Sequence, residues 1–367
     1  MCALRLCLLA LLSVVTAGCG GQPAYQGSVD GKARVESGPR KSIRSDERPP
    51  IVSDRFVLDS PDQQVVGRVQ IVRARHDDTF VDIARAYDLG FDELVQANPG
   101  VDPWLPGAGT EIVLPTQFVL PDAPHIGIVL NVAAKRLFYF PASEDGEPEI
   151  VVTYPIGIGR YDWATPLGKT EVVSKATNPV WYVPASIRRE SAEAGDPLPA
   201  TVLPGPDNPL GKHVLGLGMT SYLLHGTNRP AGVGMRVSHG CVRLFPRDME
   251  YLFEVVEVGV PVRIVNQPFV LGWLDGDLYF EAHPPLTEDP ADWQDLLPSL
   301  IAAAVIHQPN GQAAVHTGRL RSAAEEQLGL PVLALKGTRN MRAALRDAMR
   351  VINIVNYEHL ATAELID

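Results

Sequence analysis

The chain has 367 residues, of which 46% are hydrophobic and 20% are charged, and its formal net charge at pH 7 is −11. A chain of this length and composition can bury a sizeable core and is expected to fold as two or three domains. Because the net charge is negative, the composition argues against nucleic acid as a partner and against attraction to anionic lipid.

Residues 1–19 have the layout of an export signal. Arg5 is followed by the apolar run LCLLALLSVVTAGC, which ends in small residues and is shorter than the roughly 20 residues of a membrane span. Thr16 to Cys19 resemble a lipobox, although an aliphatic residue is usual where Thr16 stands. We therefore predict export, with cleavage before Cys19 and a lipid on that cysteine. The alternative is ordinary cleavage near Ala17, without a lipid anchor.

The cysteine count bears on the chemistry of the mature chain. Of the four cysteines, Cys2 and Cys7 leave with the signal and Cys19 would be acylated, so Cys241 has no partner for a disulfide. The nine histidines show no HExxH pattern, and no second cysteine stands near Cys241, so no metal site is predicted. Cys241 is then either a buried core residue or a reactive thiol.

Residues 20–62 are rich in Gly, Ser, Pro, Gln, Lys and Arg and have hardly any aliphatic periodicity. Such a composition cannot bury enough apolar surface to offset its ordering entropy. It predicts a disordered tether between the anchor and the folded part of the chain.

Residues 68–116 predict a small α+β unit. Alternation around Val69 and Ile71 indicates a strand, and Asp78 or Thr79 offers an N-cap for a first helix. A second helix over residues 91–97 ends at the NPG turn, and TEIVLP closes the unit as a strand. The predicted order is strand, helix, helix, strand (βααβ).

This unit resembles a LysM module in the order and spacing of DDTF, DIARAY, QANPG and EIVLP, although Asp77 stands where glycine is common. The resemblance implies binding of glycan strands that contain N-acetylglucosamine. It assigns the contacts to two loops, formed by Asp78, Thr79 and Phe80 and by Asn98, Pro99 and Gly100. The alternative is a degenerate module that only spaces the next domain.

Residues 125–266 predict a mainly β domain. Strand-forming segments recur in HIGIVLNVAAKRLFYF, EIVVTYPIGIG, TEVVSKATNPVWYVP and VPVRIVN. One helix, PRDMEYLFEVVEVG, has Pro246 near its first turn, where a missing N–H costs little. This places Cys241 on the connection that leads into the helix.

Residues 267–367 predict a β-hairpin and a helical C-terminal region. Asp275 and Gly276 form the hairpin turn. The last segment carries apolar residues near helical spacing, at Met341, Leu345, Met349, Ile352 and Val355. The histidines of this region, His283, His307, His316 and His359, are interpreted as incidental.

The stretches YLLHGTN and VSHGCVRLF combine residues suited to nucleophilic catalysis. A thiol is mostly protonated near neutrality, and an adjacent imidazole activates it by taking the proton. His225, at the end of a strand, is the first candidate for this base. His239 competes with it, because side chains two positions apart in an extended backbone lie on the same side.

Two further residues near the cysteine suit acyl transfer. Gly240 permits a close backbone approach, so that neighbouring amides could face a developing oxyanion. Arg243 offers a planar, permanently charged group suited to a carboxylate. The alternative for Arg243 is a structural ion pair.

At this point the chain closely resembles the YkuD-type L,D-transpeptidases, specifically the periplasmic subgroup with a signal, a LysM module and a catalytic domain. The matching stretches are GIGRYDWATPLGKT, NPVWYVP, LPGPDNPLGKH, LHGTN and GVGMRVSHGCVRL. The resemblance implies that Cys241 is the nucleophile and His225 the base, oriented through the carbonyl of Gly226. It also implies a supporting role for His239, positioning or oxyanion roles for Ser238 and for the amides of Gly240 and Cys241, and substrate binding by Thr227, Asn228 and Arg243.

The resemblance further implies a two-step acyl transfer without a cofactor. The thiol would attack a peptidoglycan stem tetrapeptide and expel its terminal D-alanine. The acyl group would then pass to an amine, either the diaminopimelate of another stem or the terminal lysine of an outer-membrane lipoprotein. Two alternatives stay open, a cysteine hydrolase of stem peptides and a non-catalytic wall-binding lipoprotein. The expected location is the periplasm, with membrane attachment only through a lipid anchor.

Overall fold

The computed structural model describes residues 47–51, 54–60, 62–143, 147–306 and 314–357. The predicted export signal, Cys19 and most of the predicted tether lie outside these ranges, as do His307 and His359. Within the described residues, no helix is both long enough and apolar enough to cross a bilayer.

The first part of the described chain contains a small module of two helices between two strands. Its elements, with the flanking strands, are β1 Arg55–Val57, β2 Val65–Gly67, β3 Gln70–Arg73, α1 Phe80–Ala86, α2 Phe91–Ala97, β4 Glu111–Leu114 and β5 Gln117–Val119. β3 pairs antiparallel with β4, and β2 pairs antiparallel with β5. Thr79 begins α1 through a capping box with Asp82. The order β3, α1, α2, β4 agrees with the βααβ prediction.

The predicted tether includes residues that are ordered in the structure. β1, at Arg55–Val57, pairs antiparallel with residues 150–152, and Arg48 forms a bridge to Val351. Leu58 is buried in the same core cluster as the small module. The predicted disordered range of residues 20–62 is therefore wrong at its C-terminal end. Residues 55–57 form the edge strand of a sheet, and Leu58 buries an apolar side chain.

The central part of the chain is mainly β, as predicted. Its elements are β6 Gly127–Asn131, β7 Arg136–Phe140, β8 Ile150–Pro155, β9 Ile158–Gly159, β10 Gly168–Thr177, β11 Trp181–Tyr182, α3 Ala185–Glu193, β12 Thr201–Val202, β13 His213–Leu217, β14 Leu223–His225, β15 Arg236–Ser238, β16 Val242–Arg243, α4 Pro246–Val255 and β17 Pro261–Val265. A nine-stranded sheet has the order β1-β8-β7-β6-β17-β10-β13-β14-β16. Helix α4 begins at Pro246, as predicted, and buries Met249 and Leu252 against the core of this sheet.

The C-terminal part combines a hairpin with short helices. Its elements are β18 Phe269–Leu274, β19 Asp277–Ala282, α5 Trp293–Ile306, α6 Thr317–Glu326, β20 Val332–Leu333, α7 Met341–Asp347 and β21 Met349–Val351. The predicted hairpin turn is confirmed, since Asp275 and Gly276 join β18 to β19 with φ values of 51° and 83°.

The predicted helical stripe at the end of the chain is wrong beyond Asp347. Met349–Val351 is a strand that pairs in parallel with β3 of the small module. Val351 and Val355 are buried in the core cluster of that module. Pairing with a free sheet edge therefore overrides the local helical spacing.

The small module lies directly against the loop that leads to Cys241. The Phe91 amide at the start of α2 donates to the carbonyl of Val233 at 3.4 Å. A Cβ on Gly90 would come within 2.8 Å of the Cα of Gly234, so the two backbones meet where only glycine fits. The small module therefore packs against the loop between β14 and β15.

Candidate active site

The site forms where β14 and β16 lie side by side. The two strands are parallel, with Leu224 opposite Val242 and His225 opposite Arg243. Cys241 immediately precedes β16 and is a free, half-buried cysteine. The register therefore brings the ends of the HGT and SHGC stretches together, although they are distant in sequence.

The side chain of His225 is buried and held in one orientation. Its Nδ1 lies 2.5 Å from the carbonyl oxygen of Gly226. Because a carbonyl oxygen only accepts, Nδ1 carries the proton and Nε2 keeps its lone pair. Burial lowers the pKa of His225 to about 4, and the charge of Arg243 acts in the same direction. The imidazole is therefore neutral at pH 7 and able to accept a proton at Nε2.

The thiol of Cys241 is protonated in the resting site. Burial raises its pKa, while a backbone hydrogen bond at Leu223 and the charge of Arg243 oppose that shift. Its Sγ lies 3.6 Å from the carbonyl oxygen of Ser221, to which the thiol donates. A nucleophile in this state requires a base to remove its proton during the reaction.

Ser238 and Gly240 stabilise the turn that carries the cysteine. The Ser238 hydroxyl donates to the Cys241 carbonyl at 2.5 Å and accepts from the Gly240 amide at 3.2 Å. Gly240 has a φ of 100°, and a Cβ there would lie 2.9 Å from Tyr222. The Gly240 amide is thus engaged within the turn, which leaves the Cys241 amide as the candidate for the predicted oxyanion role.

His239 is directed to a carboxylate. Its Nε2 lies 3.1 Å from Oε2 of Glu190, and its ring packs edge-to-face on Trp163 with centroids 5.2 Å apart. Glu190 also contacts the guanidinium of Arg160. Of the two competing histidines, His239 therefore has its Nε2 engaged by a carboxylate, whereas the Nδ1 of His225 is engaged by a backbone carbonyl.

No predicted site residue corresponds to Glu190, Arg160 or Trp163. Arg160 and Trp163 lie within the matched stretch GIGRYDWATPLGKT, which was a signal for their proximity to the site. Glu190 lies among charged residues of α3 and carries no such signal.

Of the predicted substrate-binding residues, Thr227 and Asn228 lie in the turn after β14, whereas Arg243 lies in β16. Thr227 is buried, and its hydroxyl accepts from the Arg229 amide at 2.9 Å, whereas Asn228 is exposed. The Nε atom of Arg243 is buried without a hydrogen-bond partner among the described residues. Burial and the charge of Arg229 lower the pKa of Arg243. The alternative of a structural ion pair for Arg243 finds no support in these contacts.

The predicted glycan-binding loops of the small module are partly internal. Asp78 is 1% exposed and accepts from the Arg75 amide and from Asn353 Nδ2, each at 2.6 Å, and it also contacts Tyr357. The Asp78 carboxylate therefore bonds to the C-terminal segment of the chain, a contact that the sequence did not predict.

Phe80 and Asn98 are also buried in the small module. Phe80 lies in its core, and Asn98 bonds to the backbone of Leu94 and Val113. Thr79 caps α1, while Pro99 and Gly100 are exposed. The side chains of Asp78, Phe80 and Asn98 therefore have structural partners, and so does the Thr79 hydroxyl, which bonds to Asp82. The exposed part of the predicted glycan surface is Pro99 and Gly100.

Two of the histidines interpreted as incidental have structural contacts. His283 is buried and lies 2.7 Å from a carboxylate oxygen of Glu281. His316 is the N-cap of α6 and accepts from the Arg319 amide at 3.2 Å. Among the described residues, no group of three or more His, Cys, Asp or Glu side chains is placed to hold a metal ion.

The chain is similar in sequence to known L,D-transpeptidases. Residues 126–264 match the family model YkuD, described as an L,D-transpeptidase catalytic domain. The chain is 38% identical over 283 residues to the probable L,D-transpeptidase YbiS of Escherichia coli (strain K12). The matched region covers 76% of this chain and 90% of that protein. The chain is 45% identical over 228 residues to the probable L,D-transpeptidase YcfS of the same strain, covering 61% of this chain and 70% of that one. A solved L,D-transpeptidase from Mycobacterium smegmatis has 20% identity and a TM-score of 0.30, over 44% of this chain and 64% of that chain.

Proposed function

The chain belongs to the YkuD-type L,D-transpeptidase family, and we propose that it transfers peptidoglycan stem peptides through a thioester on Cys241, with His225 as the base. The observation that carries this proposal is the parallel pairing of β14 with β16, which sets His225 opposite Arg243 and next to the cysteine turn. The bond from His225 Nδ1 to the Gly226 carbonyl supports it further, because it leaves Nε2 unprotonated.

The first half-reaction is acylation of the enzyme. His225 Nε2 takes the thiol proton as Sγ attacks the carbonyl carbon of the third stem residue, and the Cys241 amide stabilises the oxyanion. The tetrahedral intermediate collapses as the amine of the terminal D-alanine leaves with the proton from His225. The product is a thioester, and the energy of the cleaved amide is retained in that bond.

The second half-reaction transfers the acyl group to an amine. A neutral amine attacks the thioester carbon, an amide forms, the C–S bond breaks and the thiol is restored. The acceptor is the diaminopimelate of a second stem or the terminal lysine of an outer-membrane lipoprotein. The unpartnered Nε of Arg243 supports a role in holding a carboxylate of the stem.

The rest of the chain suits action at the cell wall. The export signal and Cys19 fit a periplasmic enzyme on a lipid anchor, and the βααβ module fits a LysM unit that contacts glycan strands through the exposed loop at Pro99 and Gly100. The contact of this module with the loop at Val233 would hold the glycan in a fixed relation to the active site.

Incubation with defined disaccharide tetrapeptides, followed by mass analysis, tests the proposal. Release of D-alanine with a crosslinked or lipoprotein-linked product supports transpeptidation. Release of D-alanine with only hydrolysed product would instead indicate a hydrolase, and retained wall binding without turnover would indicate a non-catalytic lipoprotein. Cys241→Ala is the control and is expected to show no turnover.

A further inference from the structure

Helix α3 belongs to the segment that connects β10 to β13, and few of its apolar side chains are buried. Ile187 is the buried residue of this helix, and its N-cap Pro184 provides no side-chain hydrogen bond. Burial of a single aliphatic side chain offsets only a small part of the entropy lost in ordering nine residues. The position of α3 therefore depends on its polar contacts.

Glu190 makes the side-chain contacts that connect α3 to the turn carrying Cys241, directly through His239 and indirectly through Arg160. One carboxylate oxygen lies 3.1 Å from Nε2 of His239, and the other contacts the guanidinium of Arg160. The Arg160 amide in turn donates to the carbonyl of Ser238 at 3.0 Å. Glu190 thus joins α3 to the turn that carries Cys241 and to the segment packed on that turn.

The charge on Glu190 suits this role. Hydrogen bonding from Arg160, with a smaller contribution from His239, lowers the pKa of the carboxyl group, so it is ionised at neutral pH. A carboxylate only accepts, so Nε2 of His239 carries a proton towards it. These charge-assisted bonds connect α3 to the SHGC motif and to Arg160, and Ile187 is the buried residue that α3 contributes besides them.

We propose that Glu190 is a specificity-determining residue that holds helix α3 beside the acylated Cys241 and so favours transfer to an amine over hydrolysis. This inference rests on the proposed function. Amine attack yields an amide and the free thiol, whereas water attack yields a carboxylic acid and the same thiol. Since both routes expel the same sulfur, their ratio depends on which nucleophile reaches the thioester carbon, and a covering element lowers the access of water.

The chain offers two matched control variants. Asp162 also binds Arg160, with 2.8 Å between Oδ1 and Nε, but its described hydrogen bonds do not include His239. Glu193 is an exposed carboxylate at the end of the same helix. Asp162→Asn therefore removes a negative charge near the site, and Glu193→Gln removes one from α3. Both variants leave the Glu190 contacts in place.

The test measures the partition of the acyl-enzyme. Each protein is mixed with a tetrapeptide donor and an amine acceptor, acyl-enzyme formation is followed by intact mass, and the hydrolysed and transferred products are quantified. Glu190→Ala should raise the ratio of hydrolysis to transfer about tenfold, the factor that corresponds to loss of one hydrogen bond to a charged group. Glu190→Gln, which keeps an acceptor oxygen for His239, should raise it less, and the two controls should stay close to the wild-type ratio.

The outcomes separate this inference from the proposed function. If the wild-type protein forms the acyl-enzyme and both Glu190 variants partition like wild type, the role of Glu190 is overturned while the proposed function stands. Equal losses of transfer and hydrolysis, with an unchanged ratio, would also overturn it. Failure of the wild-type protein to form any acyl-enzyme would contradict the proposed function, and this inference with it. The isosteric Glu190→Gln keeps the test decisive if Glu190→Ala does not fold.

Discussion

Arg136 of β7 and Glu93 of α2 form a buried bidentate ion pair, with Nε to Oε1 at 2.6 Å and Nη2 to Oε2 at 2.7 Å. Arg136 is 1% exposed, and its guanidinium also lies over the ring of Phe118 at 4.0 Å. The same Glu93 accepts from the Gly90 amide at 2.6 Å, at the start of α2. This pair joins the small module to the large sheet.

Glu93→Ala is expected to lower the free energy of unfolding by about 3 to 5 kcal/mol, because it leaves the Arg136 charge buried without its partner. Urea denaturation measures the change. Glu250→Ala is the matched control, since Glu250 pairs with Lys212 at 3.1 Å where both side chains are at least half exposed, and it should cost at most about 1 kcal/mol. Similar losses of unfolding free energy in Glu93→Ala and Glu250→Ala would show that burial of the ion pair does not determine its contribution to stability.

The thiol of Cys241 should react slowly near neutral pH. Because burial raises its pKa, the rate of alkylation by iodoacetamide should keep rising above pH 8, without a plateau between pH 6 and 7. Arg243→Ala should move the curve to higher pH, since the positive charge of Arg243 favours the thiolate. Peptide mass analysis with Cys241→Ala as background gives the site-specific rate. A plateau near pH 6 would indicate a pre-formed thiolate and imidazolium pair.

His225 should make the fold less stable in acid. Its pKa is about 4 in the folded protein, against an ordinary value of 6.5 for histidine, so between these pH values the unfolded chain binds a proton that the folded chain does not. Stability from this group is present above pH 6.5 and is lost as the pH falls towards 4, by about 3 kcal/mol. Urea denaturation of wild type and His225→Gln at pH 7, 6, 5 and 4 should show the difference between them changing by this amount. A difference independent of pH would contradict the burial of a neutral imidazole.

The two histidines of the site should differ in their effect on turnover. His225→Ala should lower the acylation rate by about 10² to 10⁴, the range of general base catalysis. His239→Ala should lower it less, because the Nε2 of His239 is engaged by Glu190. Single-turnover release of D-alanine from a tetrapeptide gives both rates. The reverse ranking would assign the base to His239.

Removal of the chain from Met349 onward should destabilise the small module. The truncation deletes the strand that pairs with β3, the buried Val351 and Val355, and the Asn353 bond to Asp78. Loss of two buried aliphatic side chains predicts a decrease in stability of about 3 to 5 kcal/mol. Hydrogen exchange of the Ile71 and Val72 amides reports the change locally.

A second truncation after Tyr357 keeps all of these contacts and should exchange like the full chain. Unchanged exchange in the longer deletion would rule out a structural role for this strand.

Local sequence signals predicted much of the fold. The N-cap at Thr79, the Asp275-Gly276 turn and the start of α4 at Pro246 each depend on residues within a few positions of one another, and the structure has all three. The same kind of signal drew attention to Cys241, His225 and His239, because their types and flanking glycines stand out in the sequence.

Contacts between distant segments decided the rest. The sequence left His225 and His239 as competing bases, and our proposal of His225 rests on two tertiary contacts, the pairing of β14 with β16 and the contact of His239 with Glu190. Met349–Val351 became a strand because an edge of β3 was free to pair with it, and Asp78 became internal because Asn353 and Tyr357 lie against it. Short-range patterns determine which elements can form, whereas the hydrogen-bond partners and burial of each side chain depend on which segments the tertiary structure brings together.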